Sequence, residues 1–117
     1  MVGSAIYKLL SKSKFFKIIP CKRKDLDFTN KSRVEKWFKK NKPEIVINCA
    51  GRVGGILDNS MYQDDYLYIN TMIGLNLINA SLEFNVNKLI NLGSACIYPK
   101  KTKQPIKEEY LLTSKLE

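Results

Sequence analysis

The chain has 117 residues, of which 44% are hydrophobic and 26% are charged, and its formal net charge is +9 at pH 7. These values are typical of one globular domain, and no apolar run approaches the roughly 18 residues of a membrane-spanning helix. With no histidine and three scattered cysteines, the chain offers little for a zinc site or a disulfide framework. We therefore expect a cytoplasmic protein without a metal or a membrane partner.

The positive charge is concentrated in residues 1–43, which carry 13 basic and 3 acidic side chains. Solvated lysine-rich helix faces explain this pattern without a ligand. A bound anion near this segment is the functional alternative, and a phosphorylated small molecule would serve as well as a nucleic acid. No stretch interleaves aromatic with basic residues as a stacking platform for nucleic acid would, so we expect no nucleic-acid partner.

The first elements alternate between helical and extended patterns. Apolar residues at helical spacing predict a helix over residues 2–13, and the β-rich run FFKIIPC predicts a short strand over residues 15–21. A second helix is predicted to begin after Thr29 or Asn30 as its N-cap and to stop at Pro43. The apolar stripe of this helix comprises Val34, Trp37 and Phe38.

The second half of the chain predicts one long helix between two buried strands. The apolar runs at 44–50 (EIVINCA) and 87–94 (NKLINLGS) are typical of strands covered on both faces, and the helix is predicted over 61–85. From residue 97 onward we expect loop with a weak helix. The core stripe of the long helix is Tyr66, Ile69, Ile73, Leu77, Ala80 and Phe84. A second apolar stripe needs another covering surface and comprises Leu67, Leu75, Ile78 and Leu82.

This alternation of helices and strands predicts a doubly wound parallel α/β sheet, in which ligands bind at the carboxyl ends of the strands. Gly93, Ser94 and Cys96 follow the last predicted strand, so they stand where a substrate would lie. The alternative is that Ser94 only caps the next turn and that Cys96 is a small buried hydrophobic residue. The spacing alone leaves both interpretations open.

Basic residues follow the strand predicted over 15–21. At this point an NAD enzyme needs a carboxylate for the ribose hydroxyl, whereas an NADP enzyme needs a cation for the 2′-phosphate. Lys22, Arg23 and Lys24 supply cations, and a guanidinium can hold phosphate with a planar fork of donors. The alternative is three solvated charges in a lysine-rich chain.

Five segments together carry a resemblance that runs along essentially the whole chain. They are MVGSAI (1–6), NCAGRVGGI (48–56), INTMIGLNLINAS (69–81), NKLINLGSACIYPK (87–100) and KQPIKEEYLL (103–112). In these segments the chain resembles the N-terminal half of the GDP-L-fucose synthase family, which are epimerase-reductases among the extended short-chain dehydrogenase/reductases. The combination of RVGGI with GSACIYPK is the specific part of the match.

The departures from the family pattern imply an incomplete domain. Of the family's G-x-x-G-x-x-G loop only the last glycine, Gly3, is present, and Ala95 stands where the family often has a second serine. The resemblance implies that the first strand precedes Met1, and that the Tyr-x-x-x-Lys pair and the GDP-sugar-binding half follow Glu117. We therefore expect residues 1–117 to form a partial NAD(P)-binding Rossmann domain, with an incomplete doubly wound parallel sheet.

The resemblance also implies roles for individual residues. Ser94 corresponds to the serine that polarises the C4 keto oxygen, and Cys96 to the acid/base thiol for C3 and C5, whose histidine partner this chain lacks. The substrate-side loop corresponds to Arg52, Val53 and Gly54. The positions that match NADP(H) contacts are Gly3, Arg23, Asp27, Phe28, Ala50 and Gly51.

The function implied by the resemblance is conversion of GDP-4-keto-6-deoxy-D-mannose to GDP-L-fucose with NADPH. A homodimer through helix 61–85 is also implied, whereas the chain by itself is expected to be inactive. The alternative is a non-catalytic remnant that binds a nucleotide or a partner chain. A basic nucleic-acid binder is a further alternative.

Overall fold

The protein is described by a computed structural model over residues 1–115. Two short strands and several helices follow one another along the chain in an α/β order. Turns of 3-10 helix cover Ala95–Ile97 and Glu108–Tyr110. The main elements are α1 (Val2–Leu10), α2 (Lys31–Asn41), β1 (Ile45–Asn48), α3 (Ile56–Met61), α4 (Gln63–Glu83) and β2 (Lys88–Asn91).

The two strands form a parallel pair in which Ile45 lies opposite Lys88 and Asn48 lies opposite Asn91. Parallel strands need a long crossover connection, which α3 and α4 provide here. Both strands therefore end at the same edge of the sheet. This arrangement confirms the predicted α/β class with a parallel, Rossmann-type sheet.

The core lies between α2 and α4 and draws on the predicted apolar stripes of both helices. Asn30 caps α2 by accepting a hydrogen bond from the Arg33 amide at 3.1 Å, and Lys42 ends the helix in a left-handed conformation with φ of 44°. Full burial of one large apolar side chain stabilises a fold by about 1.5–3 kcal/mol. The packing of α2 against α4 is therefore a main source of stability. The buried core residues are Leu26, Val34, Phe38, Ile73, Leu77 and Ala80.

The strand predicted over residues 15–21 is wrong. Within the described residues, no backbone hydrogen bond engages residues 16–21, and this run lies along an open cleft of about 1520 Å³. A strand exists only through hydrogen bonds with a neighbour, and the cleft separates this run from β1. The same cleft explains why Ile45 is 46% exposed, although β1 was predicted to be covered on both faces.

Two helix boundaries also differ from their predictions. The first helix ends at Leu10 rather than near residue 13. The helix predicted over 61–85 is observed as α4 over Gln63–Glu83, and α3, which was not predicted, precedes it; Tyr62, with a non-helical φ of −128° and ψ of 45°, separates the two. Within residues 1–115 no helix combines the length and apolar character needed to cross a membrane.

Candidate functional site

The open cleft beside β1 contains every residue that was predicted to contact the cofactor. It is bounded by α1, the extended run before Cys21, the turn that follows this run, and the loop after β1. Predicted residues from three separate parts of the sequence therefore meet at one surface. The predicted residues that line it are Gly3, Arg23, Asp27, Phe28, Ala50 and Gly51.

Gly3 permits a close approach between α1 and the end of β1. A Cβ atom at this position would lie 3.3 Å from the Cβ atom of Cys49, which is closer than most side chains tolerate. The last glycine of a dinucleotide-binding loop has this packing role between helix and strand. The first backbone amides of α1 are consequently held near the cleft.

Arg23 lies on an exposed turn at the edge of the cleft. The turn is closed by the Asp25 amide, which donates to the Lys22 carbonyl at 2.8 Å, and by the Lys22 amide, which donates to the Asp25 carboxylate at 3.3 Å. Arg23 forms no salt bridge with another residue of the described chain. Its guanidinium is therefore available to an anionic ligand.

Asp27 carries a carboxylate that is held in its charged form. One of its oxygens, Oδ1, accepts hydrogen bonds from the Thr29 hydroxyl at 2.7 Å and from the Thr29 amide at 3.0 Å. These bonds lower the pKa of Asp27, and the charges of Arg33 and Arg23 lower it further. Because both bonds use the same oxygen, Oδ2 remains open to a donor such as an amine.

The loop after β1 is fixed by asparagines that sequence analysis missed. Asn48 is 8% exposed, and its Oδ1 accepts from the Ala50 amide at 2.9 Å while its Nδ2 donates to Asn91 at 2.7 Å. Next to it, a Cβ atom on Gly51 would lie 3.4 Å from the side-chain oxygen of Asn70. The available signal was that the apolar runs IVIN and LIN each end in asparagine.

Arg52 is held against α4 by its side chain and its backbone. Its guanidinium lies 2.6 Å from an Asp65 oxygen, and its central carbon is 4.7 Å from the centre of the Tyr66 ring. The pairing with Asp65 raises the pKa of Arg52, so the side chain is charged. Asn70 accepts from the Arg52 amide at 2.7 Å and donates to its carbonyl at 3.1 Å. Arg52 also lines the cleft, whereas the side chain of Val53 projects into solvent.

Ser94 and Cys96 lie beyond the carboxyl end of β2, next to a small pocket of about 210 Å³ that Cys96 lines. The Ser94 hydroxyl oxygen accepts from the Cys96 amide at 3.2 Å and caps the turn Ala95–Ile97, as one interpretation predicted. A hydroxyl that accepts a bond still has its own proton to donate, so capping does not prevent catalysis. Cys96 is exposed, and its interpretation as a buried hydrophobic residue is wrong.

A parallel α/β sheet with a glycine-bounded cleft at its edge is the arrangement of a dinucleotide-binding domain. The chain belongs to the NAD dependent epimerase/dehydratase family, whose family model matches residues 1–117. Over 117 residues it is 47% identical to the GDP-L-fucose synthase of Sinorhizobium fredii (strain NBRC 101917 / NGR234) and 43% identical to GDP-L-fucose synthase 1 of Arabidopsis thaliana. All of this chain is covered in both cases, with 37% and 36% of those proteins.

A solved structure of a GDP-sugar enzyme is also similar to this chain over part of its length. The GDP-mannoheptose C4 reductase MlghC from Campylobacter jejuni, solved with NADP bound, is 39% identical and superposes with a TM-score of 0.88. This similarity covers 98% of the present chain and 34% of the reductase. The chain thus spans about a third of the length of the proteins it matches, and its fold is that of the corresponding part of a GDP-sugar reductase.

Proposed function

We propose that residues 1–117 form the NADP-binding and part of the catalytic portion of a GDP-sugar epimerase-reductase. The proposed reaction converts GDP-4-keto-6-deoxy-D-mannose to GDP-L-fucose by epimerisation at C3 and C5 and reduction at C4. One observation carries the proposal: all six predicted cofactor positions line a single cleft. The names of the relatives, which are GDP-L-fucose synthases and a GDP-sugar reductase, support the substrate class.

The cleft residues fit the parts of NADP. Arg23, exposed on its turn, would hold the 2′-phosphate, and the free oxygen of Asp27 would accept from the adenine amine beside Phe28. Gly3, Ala50 and Gly51 carry no bulky side chain, so the ribose and pyrophosphate can approach the backbone. When bound, the reduced cofactor supplies the hydride for C4.

The residues after β2 would act on the sugar. The Ser94 hydroxyl keeps a proton free and would donate it as a hydrogen bond to the C4 keto oxygen as negative charge develops there. The exposed Cys96 thiol would transfer protons at C3 and C5, which are acidic because they lie beside the ketone. The chain contains neither histidine nor a Tyr-x-x-x-Lys pair, so the proposal assigns no residue of this chain to the remaining proton-transfer steps.

The loop of Arg52, Val53 and Gly54 would form the substrate-side wall next to the cofactor.

A homodimer through the second stripe of α4 completes the proposal. Leu67 is 73% exposed and Leu82 is 74% exposed, although both side chains are large and apolar. A second copy of the same helix would remove this surface from water.

The test is a hybrid enzyme in which residues 1–117 replace the matched segment of the Sinorhizobium fredii GDP-L-fucose synthase. We expect the hybrid to oxidise NADPH and to produce GDP-L-fucose, with the unmodified synthase as the control. A folded hybrid that binds NADPH but converts no sugar would contradict the proposal. That result would favour the alternative, a nucleotide-binding remnant without catalysis.

A further inference from the structure

The loop over residues 51–55 is held by α3 and α4 at nearly every position. Asn59 on α3 donates from its side chain to the carbonyls of Gly54 and Gly55, both at 3.0 Å. A Cβ atom on Gly54 would lie 2.6 Å from an Asp58 carboxylate oxygen, so any larger residue there would require the Asp58 side chain to move. Asn70 brackets the backbone of Arg52. The loop is therefore a built structure with a fixed path.

The guanidinium of Arg52 is already committed to partners within the chain. It pairs with Asp65 at 2.6 Å and lies over two aromatic rings, 4.7 Å from the centre of Tyr66 and 5.5 Å from the centre of Tyr62. A guanidinium that has one nitrogen in an ion pair and its central carbon over two rings is held in place against α4, as a positioning role requires. The buried Tyr66 is itself fixed, because its hydroxyl donates to Asp58.

Val53 is the exception within this loop. Its side chain is 89% exposed although it is apolar, and it is flanked by Arg52 and Gly54, which are both held against the helices. Val53 does not itself line the cleft, but it follows Arg52, which does, so a ligand that extends from the cleft along this loop would meet its isopropyl group. We propose that Arg52 is a positioning residue that acts through Asp65 and the two tyrosines, and that Val53 is the side chain that contacts the sugar.

This inference rests on the proposed function, because it assigns separate roles to Arg52 and Val53 within the proposed substrate-side loop. A positioning role for Arg52 can be distinguished by experiment from direct binding of the substrate by its guanidinium. If Arg52 bound the substrate itself, removing Asp65 would free the guanidinium, and the loss of Arg52 would remain costly without Asp65. If Arg52 positions the loop through Asp65, removing either residue breaks the same contact, so removing both should raise KM no more than removing one.

The experiment uses the hybrid enzyme with Arg52→Met, Asp65→Asn and both changes together. We expect each single change to raise KM for the GDP-sugar about tenfold with kcat altered less than about threefold, and the double variant to be no worse than the more affected single one. Arg52→Lys should be intermediate, because an ammonium retains the ion pair but loses the planar stacking. Asp64→Asn is the matched control, since Asp64 is the exposed neighbour of Asp65 in the first turn of α4.

A second readout does not depend on the substrate. Hydrogen exchange of the amides in residues 51–55 should be faster in Asp65→Asn than in the unchanged hybrid, and unaffected in Asp64→Asn. Val53→Ala should raise KM without changing this exchange. Additive KM effects of Arg52→Met and Asp65→Asn, or an unchanged KM in Val53→Ala, would overturn the inference while leaving the proposed function intact. A hybrid inactive on the GDP-sugar would refute the proposed function and the sugar-contact role of Val53; loop exchange would then decide whether Asp65 and Arg52 position the loop.

Discussion

The side-chain amide of Asn48 donates a hydrogen bond to the side-chain oxygen of Asn91 across the carboxyl ends of the two strands, at 2.7 Å. The two residues are 43 positions apart in the sequence, and they lie opposite each other in the parallel register. The side-chain oxygen of Asn48 accepts a hydrogen bond from the backbone amide of Ala50. One carboxamide thus couples both strands to the loop that borders the cleft.

The first prediction concerns this coupling. Asn48→Leu removes the bonds to Ala50 and Asn91, so we expect the free energy of unfolding to fall by about 1–2 kcal/mol. Urea unfolding of the hybrid measures this change. Asn79→Leu, at an exposed asparagine of α4, is the control and should change stability by less than about 0.5 kcal/mol. Equal effects of the two substitutions would show that the carboxamide bonds contribute nothing specific.

Cofactor preference is the second prediction. Arg23 is exposed on the rim of the cleft and forms no salt bridge within the described residues, so Arg23→Ala should raise KM for NADPH by about 10- to 100-fold. KM for NADH, which has no 2′-phosphate, should change little. Lys24→Ala tests whether any neighbouring positive charge has the same effect. Equal use of NADPH and NADH by the unchanged hybrid would reject the assignment of Arg23.

Reduction should depend on Ser94. Its hydroxyl accepts from the Cys96 amide and can still donate, so Ser94→Ala removes the donor to the keto oxygen. Loss of one such donor typically lowers kcat by about 10²–10³. NADPH oxidation by the hybrid measures this step. Because the same hydroxyl caps the turn Ala95–Ile97, circular dichroism and thermal unfolding must show that the variant remains folded.

Epimerisation should depend on Cys96 and can be measured separately. In Cys96→Ser we expect slower incorporation of solvent deuterium at C3 and C5, because a hydroxyl is a much weaker acid than a thiol. The exposed Cys49 provides the control substitution, Cys49→Ser. Unchanged deuterium incorporation in Cys96→Ser would reject the acid/base role.

Tyr66 gives a pH-dependent prediction. Its hydroxyl donates to Asp58, and this bond, together with burial, raises the pKa of Tyr66 above its usual value of about 10. A raised folded-state pKa means that the contribution to stability is complete below the unfolded pKa and is lost as the pH rises through the folded value. Stability should therefore fall above about pH 10, and less steeply in Tyr66→Phe. Ultraviolet difference spectra of the two proteins identify the late-ionising tyrosine.

The sequence predicted the parts of the fold that depend on local periodicity. Val34 and Phe38 are spaced for one helix face, and both are buried as expected. The strand prediction for residues 15–21 was wrong because the conformation of this run depends on hydrogen-bonding neighbours rather than on its own composition. Tyr62, which separates α3 from α4, carries no glycine or proline signal. The pairing of Arg52 with Asp65 could not be predicted either, because a loop residue meets a helix residue only after α4 has packed.

The last prediction concerns the 117-residue chain expressed by itself. Its surface leaves large apolar side chains in water around the cleft and the unpaired run at 15–21. Phe15 is 93% exposed, Phe16 is 51% exposed and Ile45 is 46% exposed. Exposed apolar surface next to backbone groups without partners favours association between copies, and a domain of this size has only about 5–15 kcal/mol of stability with which to resist it.

We therefore expect the isolated chain to aggregate and to lack a cooperative thermal transition, whereas the hybrid, which includes the remaining segments of the relative, should be monodisperse. Light scattering and calorimetry of both proteins at the same concentration make the comparison. The double substitution Phe15→Ser with Phe16→Ser, introduced into the isolated chain, should reduce its aggregation because it removes the most exposed aromatic pair beside the cleft. The matched change Tyr68→Ser, on the outward face of α4, should reduce aggregation less. A monodisperse isolated chain with a sharp unfolding transition would contradict this account, because it would show that the open cleft and the unpaired run neither destabilise the fold nor promote aggregation.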